Sequence, residues 1–142
     1  MTVNATKQRL GTILLIDDDA AHNYLHRRVI ERSEVAEHVV VATDGDAAIE
    51  YLDTPVDGEY PAPDLIFLDL NMPRMTGWEF LQAYERLPNE RRGNIVIVLL
   101  TTSSNPDDIE RARQIEVVDG FRTKPLTSAM LLEIIADHFP GV

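Results

Sequence analysis

The sequence predicts an α/β fold: a doubly wound, five-stranded parallel sheet in the order 2-1-3-4-5, with helices on both faces. Three observations lead there. Short apolar runs at 13–16, 65–68 and 95–100 each end abruptly in polar or turn residues, the pattern of strands buried on both faces. The stretches between the strand runs repeat apolar residues at helical spacing. Strand and helix alternate through five βα units, with no internal repeat or linker, and such alternation means a parallel sheet covered by crossover helices.

The elements follow in order. Ile13-Leu14-Leu15-Ile16 is the first strand and runs into Asp17-Asp18-Asp19. A helix follows, with Ala21, Leu25 and Val29 as its apolar face and His22, His26 and Arg27 opposite. His22 and His26 have the i, i+4 spacing of helical metal ligands, but no third ligand matches them, so they read as a solvated face. Asp19 reads as a solvent-facing helix start. Residues 38–41 form a short strand, and Asp44-Gly45-Asp46 turns into a helix through Ala48, Tyr51 and Leu52. The stretch 53–63, with three prolines and a glycine, is a loop-rich insertion.

Residues 65–68 are the third strand, and Asp69 stands at its carboxyl end. Pro73 and Gly77 mark the loop beyond it. Thr76 with Glu79 makes a capping box for a helix burying Phe80, Leu81, Tyr84 and Leu87. Asp69 is seven residues too early to cap that helix. After a polar connection at 88–94, six apolar residues make a central strand that ends in Thr101-Thr102-Ser103-Ser104. Asn105 is an N-cap, with Pro106 at the first helical position and Asp107-Asp108 in the positive first turn. The helix over 105–116 offers only Ile109, Ala112 and Ile115 as apolar contacts, so it docks weakly. A last strand at 119–123 ends in Lys124-Pro125, and Thr127 caps a final helix burying Met130, Leu131, Ile134 and Ile135.

Composition narrows the function. A chain of 142 residues is long enough for one domain with a substantial core. The expected division is a polar arm at 1–11, the domain at 12–139 and a short tail at 140–142. A net charge of −11 argues against direct nucleic-acid binding, which needs clustered Lys and Arg. No cysteine is present, so disulfides and thiolate zinc sites are excluded. The first ten residues lack a signal-peptide core, and no apolar run approaches the roughly 18 residues of a membrane helix. A cytoplasmic protein without membrane insertion is expected.

Four strand ends carry groups with ligating or reactive potential: Asp17/Asp18, Asp69, Thr101 and Lys124. A parallel sheet gathers them on one edge, where open α/β folds place their ligand sites. Carboxylates that close repel one another unless a cation sits among them. Lys124 is one, and the oxygen-only donors suit a hard divalent ion such as Mg²⁺. Acids, ammonium, hydroxyl and metal together suit a phosphoryl group with a carboxylate as nucleophile.

With these residues in this order, the chain resembles the receiver domains of two-component response regulators, the CheY-like family, over about residues 12–139. The matching positions are Asp17-Asp18, Asp69, Pro73 and Gly77, Thr101, and Lys124-Pro125. The resemblance implies Asp69 as phosphoacceptor. It implies Mg²⁺ held by Asp18, Asp69 and the Asn71 backbone carbonyl, with Asp17 helping directly or through water. It further implies that Lys124 pairs with Asp69 or holds a phosphoryl oxygen, and that the Lys124–Pro125 peptide is cis. Thr101 would bond the phosphoryl group, and Phe121 fills the family's switch position. Thr102 departs from the small residue usual there, so two adjacent threonines compete for the site, and Leu99-Leu100-Thr101, which reproduces the family's strand end, favours Thr101.

A sensor histidine kinase or phosphotransfer protein is the implied donor, and the expectation is a signalling protein rather than an enzyme. With no output domain after Val142, a stand-alone receiver is expected, signalling through the surface of the helix over 105–116, the last strand and the last helix, or by onward phosphotransfer. Two alternatives differ in class. A haloacid-dehalogenase-type phosphohydrolase would need an acid two residues after the nucleophile, where this chain has Asn71. A degenerate receiver acting only as a binding module would not need the complete set of site residues.

Overall fold

The structure, a computed structural model, describes residues 9–142. The polar arm expected at 1–11 lies largely outside them. Its last two residues belong to the first strand, because Leu10 already pairs with Ala36. The elements are β1 (Leu10–Ile16), α1 (Ala20–Ser33), β2 (Ala36–Ala42), α2 (Gly45–Leu52), β3 (Leu65–Leu68), α3 (Gly77–Glu85), a single turn α4 (Asn89–Arg92), β4 (Val96–Thr101), α5 (Pro106–Arg113), β5 (Gly120–Thr123) and α6 (Ser128–His138). The strands form one sheet in the order β2-β1-β3-β4-β5, every pair parallel. Among the described residues no helix is long and apolar enough to cross a membrane.

Side chains alternate across this sheet and build two apolar layers. Ile13, Leu15, Leu65, Phe67, Val98 and Leu100 face α1 and α6. Leu14, Ile16, Ile66, Leu68, Ile97 and Leu99 face α2, α3 and α5. Both faces of β1, β3 and β4 are therefore dry, which explains why these strands read as unbroken apolar runs. Register brings the carboxyl ends level: Ile16 pairs with Leu68, Leu68 with Leu99, and Thr101 with Thr123.

Local chemistry fixes the helix starts. Thr76 and Glu79 form the complete capping box, Asn105 caps α5 ahead of Pro106, and Thr127 caps α6. The helix over 105–116 is shorter than its polar pattern suggested and ends at Arg113, and only Ala112 on it is buried. The polar connection at 88–94 contains the α4 turn, whose Arg91 lies over the Tyr60 ring at 3.9 Å and ties the 53–63 insertion to the domain.

One helix face is corrected. Leu25, read as inward, is 54% exposed, and Ala21 is exposed too. The buried residues of α1 are Asn23, His26 and Ile30, with Val29 half-buried against the same layer as expected, so His26 is not on a solvated face. The cause is polar. Asp19 caps α1 by accepting from the Ala21 and His22 amides, and Asn23 Nδ2 donates to the Asp17 carbonyl at 2.8 Å. Once Asn23 is tied to the end of β1, positions 26 and 30 follow it inward by helical periodicity. Burial, with help from the nearby Lys124 charge, pushes the His26 imidazole down to about 4, so it is neutral at pH 7.

Candidate functional site

Asp69 lies one step beyond β3, and its amide still donates to Ile16 O at 2.9 Å, so the strand ladder positions its Cα. Asp17 occupies the equivalent place after β1, its amide donating to Ala42 O at 3.1 Å. Both are nearly inaccessible, at 6% and 4%, whereas Asp18 is exposed. Oxygens of Asp17, Asp18 and Asp69 all lie within 4.8 Å of one another. The fifth strand brings the balancing cation. Lys124, whose amide donates to Thr101 O at 2.8 Å, sits at a cis peptide with Pro125. Its Nζ is 2.6 Å from Asp17 Oδ2 and 3.5 Å from Asp69 Oδ1.

Three carboxylates against one ammonium leave an excess of negative charge in a partly desolvated pocket. Desolvation is the main reason that Asp69 is held above the ordinary carboxylate value of 3.8, and Asp17 pushes it further up. Lys124 and the Asn71 amide act in the opposite direction. A divalent cation would relieve this excess, and an all-oxygen donor set of this compactness fits a hard one.

The loop behind Asp69 has little freedom. Gly77 opens α3 directly against it, and a β-carbon at Gly77 would stand 2.6 Å from the Asp69 carbonyl oxygen and 2.8 Å from Leu70 Cα. The Gly77 amide donates to Leu70 O at 3.0 Å, closing the loop. Glycine is needed here for close backbone approach rather than for an unusual φ.

Asp17, Asp18, Asp69, Asn71 and Lys124 border one open cavity of about 540 Å³, together with Asp19, His22 and Thr102. Thr101 is not among its lining residues. It is fully buried, its Oγ1 accepts from the Ser103 amide at 3.2 Å, and strand alternation puts it on the Leu99 side of the sheet. Thr102 is the threonine that borders the cavity. Phe121 is half-buried against the same layer as Leu99, beside α5. His22 went unrecognised in the sequence as part of this constellation, yet its Nδ1 is 2.9 Å from Lys124 Nζ. Its position five residues after Asp17 was the available signal, but the partner lies 102 residues away.

Known proteins agree with this architecture. The model of the response regulator receiver domain matches residues 13–136. The chain belongs to the response regulator receiver domain family. It is 37% identical to the response regulator Rcp1 of Synechocystis over 108 residues, covering 74% of this chain and 71% of Rcp1. A two-component response regulator from Cytophaga hutchinsonii superposes with a TM-score of 0.82 at 30% identity, over 92% of this receiver and 97% of that chain. The Mn²⁺-bound form of Rcp1 gives 0.68 at 32% identity, over 89% and 90%. This receiver is thus a two-component signalling domain with the phosphoacceptor fold, and a phosphohydrolase reading is not favoured.

Proposed function

We propose that Asp69 accepts a phosphoryl group from a phosphohistidine of a sensor kinase or phosphotransfer protein, in a reaction that requires Mg²⁺. One observation carries the reading: a nearly inaccessible carboxylate is held between two further acids and a buried ammonium at the carboxyl edge of the sheet. An Asp69 carboxylate oxygen attacks phosphorus, a P–O bond forms, and the P–N bond to the donor imidazole breaks. The imidazole nitrogen keeps the bonding electrons, and the ring, which already carries a proton on its other nitrogen, leaves as neutral histidine. Asp18, Asp69 and the Asn71 carbonyl would hold the metal, with Asp17 joining directly or through water. Bound Mg²⁺ would neutralise charge on the carboxylates and the phosphoryl oxygens. Lys124, already beside Asp69, is the group on this chain that meets the charge developing on those oxygens.

Output follows from the thin docking of α5. A groove of about 410 Å³ separates it from β5, lined by Ile109, Ala112, Val118 and Phe121 among others. Thr101 lies behind the cavity wall, so its side chain would have to give up the Ser103 amide and turn out of the core to reach a phosphoryl oxygen, and that movement would vacate space beside Phe121. The α5–β5–α6 surface would then change for a protein partner or for onward transfer.

Phospholabelling with acetyl phosphate and Mg²⁺ tests the assignment. One equivalent of base-labile label is expected on the unmodified protein and none on Asp69→Asn. Undiminished label on the variant refutes Asp69 as acceptor, and continuous phosphate release from small phosphomonoesters would revive the hydrolase reading.

A further inference from the structure

Lys124 has three N–H bonds and no lone pair, and its side chain is only 7% exposed, so its surroundings must supply three acceptors. Asp17 Oδ2 accepts one at 2.6 Å, and Asp69 Oδ1 at 3.5 Å is an ion-pair partner at the outer limit of hydrogen-bond reach. The third partner is His22 Nδ1 at 2.9 Å. We propose that His22 is a positioning residue for Lys124, its Nδ1 lone pair holding the ammonium beside Asp69 while the carboxylates change partners. This rests on the reading of Asp69 as phosphoacceptor.

Several contacts fix the ring. His22 is the third residue of α1, and its amide donates to the capping Asp19 carboxylate at 3.1 Å. The imidazole stacks on His26, with centroids 6.0 Å apart and planes 26° from parallel, and His26 is itself buried. Asp17 Oδ2 and Asp19 Oδ2 lie 3.8 and 3.7 Å from Nδ1, beyond hydrogen-bond reach, whereas Lys124 Nζ is well inside it. Because an ammonium only donates, Nδ1 must carry the lone pair and the ring proton must sit on Nε2.

The need for such an acceptor comes from what happens to the other two. A hard divalent cation held by these acids would compete with Lys124 for the Asp17 and Asp69 oxygens. Phosphorylation then uses one Asp69 oxygen covalently. A neutral imidazole nitrogen is a poor ligand for such an ion, and so it is the acceptor that stays with the lysine through both events. Losing it would leave a buried N–H unsatisfied or let the ammonium swing outward.

NMR and labelling of the full chain test this. At about pH 8, where free imidazoles are neutral, long-range ¹H–¹⁵N correlations on the unmodified protein are expected to show His22 as the Nε2–H tautomer. An Nδ1–H tautomer overturns the proposal. The Lys124 ammonium cross-peak should be visible with and without Mg²⁺, vanish in His22→Leu, and persist in His22→Asn, whose Oδ1 occupies the place of Nδ1 on Cγ. Phosphorylation by acetyl phosphate should slow about tenfold or more in His22→Leu, the loss expected for a hydrogen bond to a charged group, and recover to within about threefold in His22→Asn. Equal rates in the two variants overturn the proposal, because a residue that merely walls the cavity would give no selective rescue. If the unmodified protein takes no label, the phosphoacceptor reading fails, while the tautomer and ammonium signals still decide the His22–Lys124 bond.

Discussion

Replacing Gly77 by alanine tests whether the loop behind Asp69 is built as tightly as its contacts indicate. The added methyl would stand 2.6 Å from Asp69 O, 2.8 Å from Leu70 Cα and 3.0 Å from Leu70 Cδ2. Ordinary carbon contacts are about 3.5–4.0 Å, so the neighbours must retreat by close to an ångström. Two of the three are backbone atoms, tied by Asp69 N to Ile16 O at 2.9 Å and by Gly77 N to Leu70 O at 3.0 Å. Overpacking of this kind costs about 1–3 kcal/mol. Alanine returns less than about 1 kcal/mol of helix propensity, because the position is the first of α3. A net loss of about 1–2 kcal/mol remains, which lowers the melting temperature of a domain this size by roughly 3–8 °C. Urea and thermal unfolding without metal would measure it. Gly120→Ala is the control, since its β-carbon would meet nothing closer than Val98 Cγ2 at 3.5 Å, and it should stay within about 0.5 kcal/mol of the parent. Because the strain falls on the Asp69 carbonyl, Gly77→Ala should also slow phosphorylation where Gly120→Ala does not. A Gly77→Ala protein as stable as the control would refute the close-approach argument.

Three further outcomes follow from the charges and the switch. Burial and Asp17 raise Asp69 above 3.8, so the native state binds its proton more tightly and loses stability as pH rises from that value through the folded one. Asp69→Asn should therefore melt higher than the parent at pH 7 without metal, with the advantage gone below about pH 4; an advantage that grows on acidification would contradict the sign. Asp18 is the exposed member of the acid cluster, so Asp18→Asn should keep the metal-free stability and lose the Mg²⁺-dependent rise in melting temperature, read by calorimetry. Thr101→Ala should still bind beryllofluoride and Mg²⁺ at Asp69 but lose the NMR shifts at Phe121 and α6; full-size distal shifts would mean that coupling does not run through this hydroxyl.

Much of the domain was determined by sequence alone, because the relevant forces are local. Strands covered on both faces need unbroken apolar runs, and 13–16, 65–68 and 95–100 have them. Helix ends need donors and acceptors within a few residues, and Thr76, Asn105 and Thr127 supply them. Five βα units make an all-parallel sheet, and parallel strands collect Asp17, Asp69 and Lys124 on one edge. Tertiary structure decided what local pattern leaves degenerate. Ala21, Leu25 and Val29 form as regular a helical stripe as Asn23, His26 and Ile30, and the hydrogen bond from Asn23 to the end of β1 turned the helix so that Ala21 and Leu25 face out while Val29 stays half-buried beside Ile30. The strand-end pattern favours Thr101 over Thr102 as the site-facing threonine, but strand alternation at the end of β4 turned Thr101 into the core and left Thr102 at the cavity. His22 gained a role only because parallel closure carried Lys124 across 102 residues to meet it. Periodicity says that a face exists; the direction it points depends on polar contacts at the sheet edge, and those form only when the chain has folded.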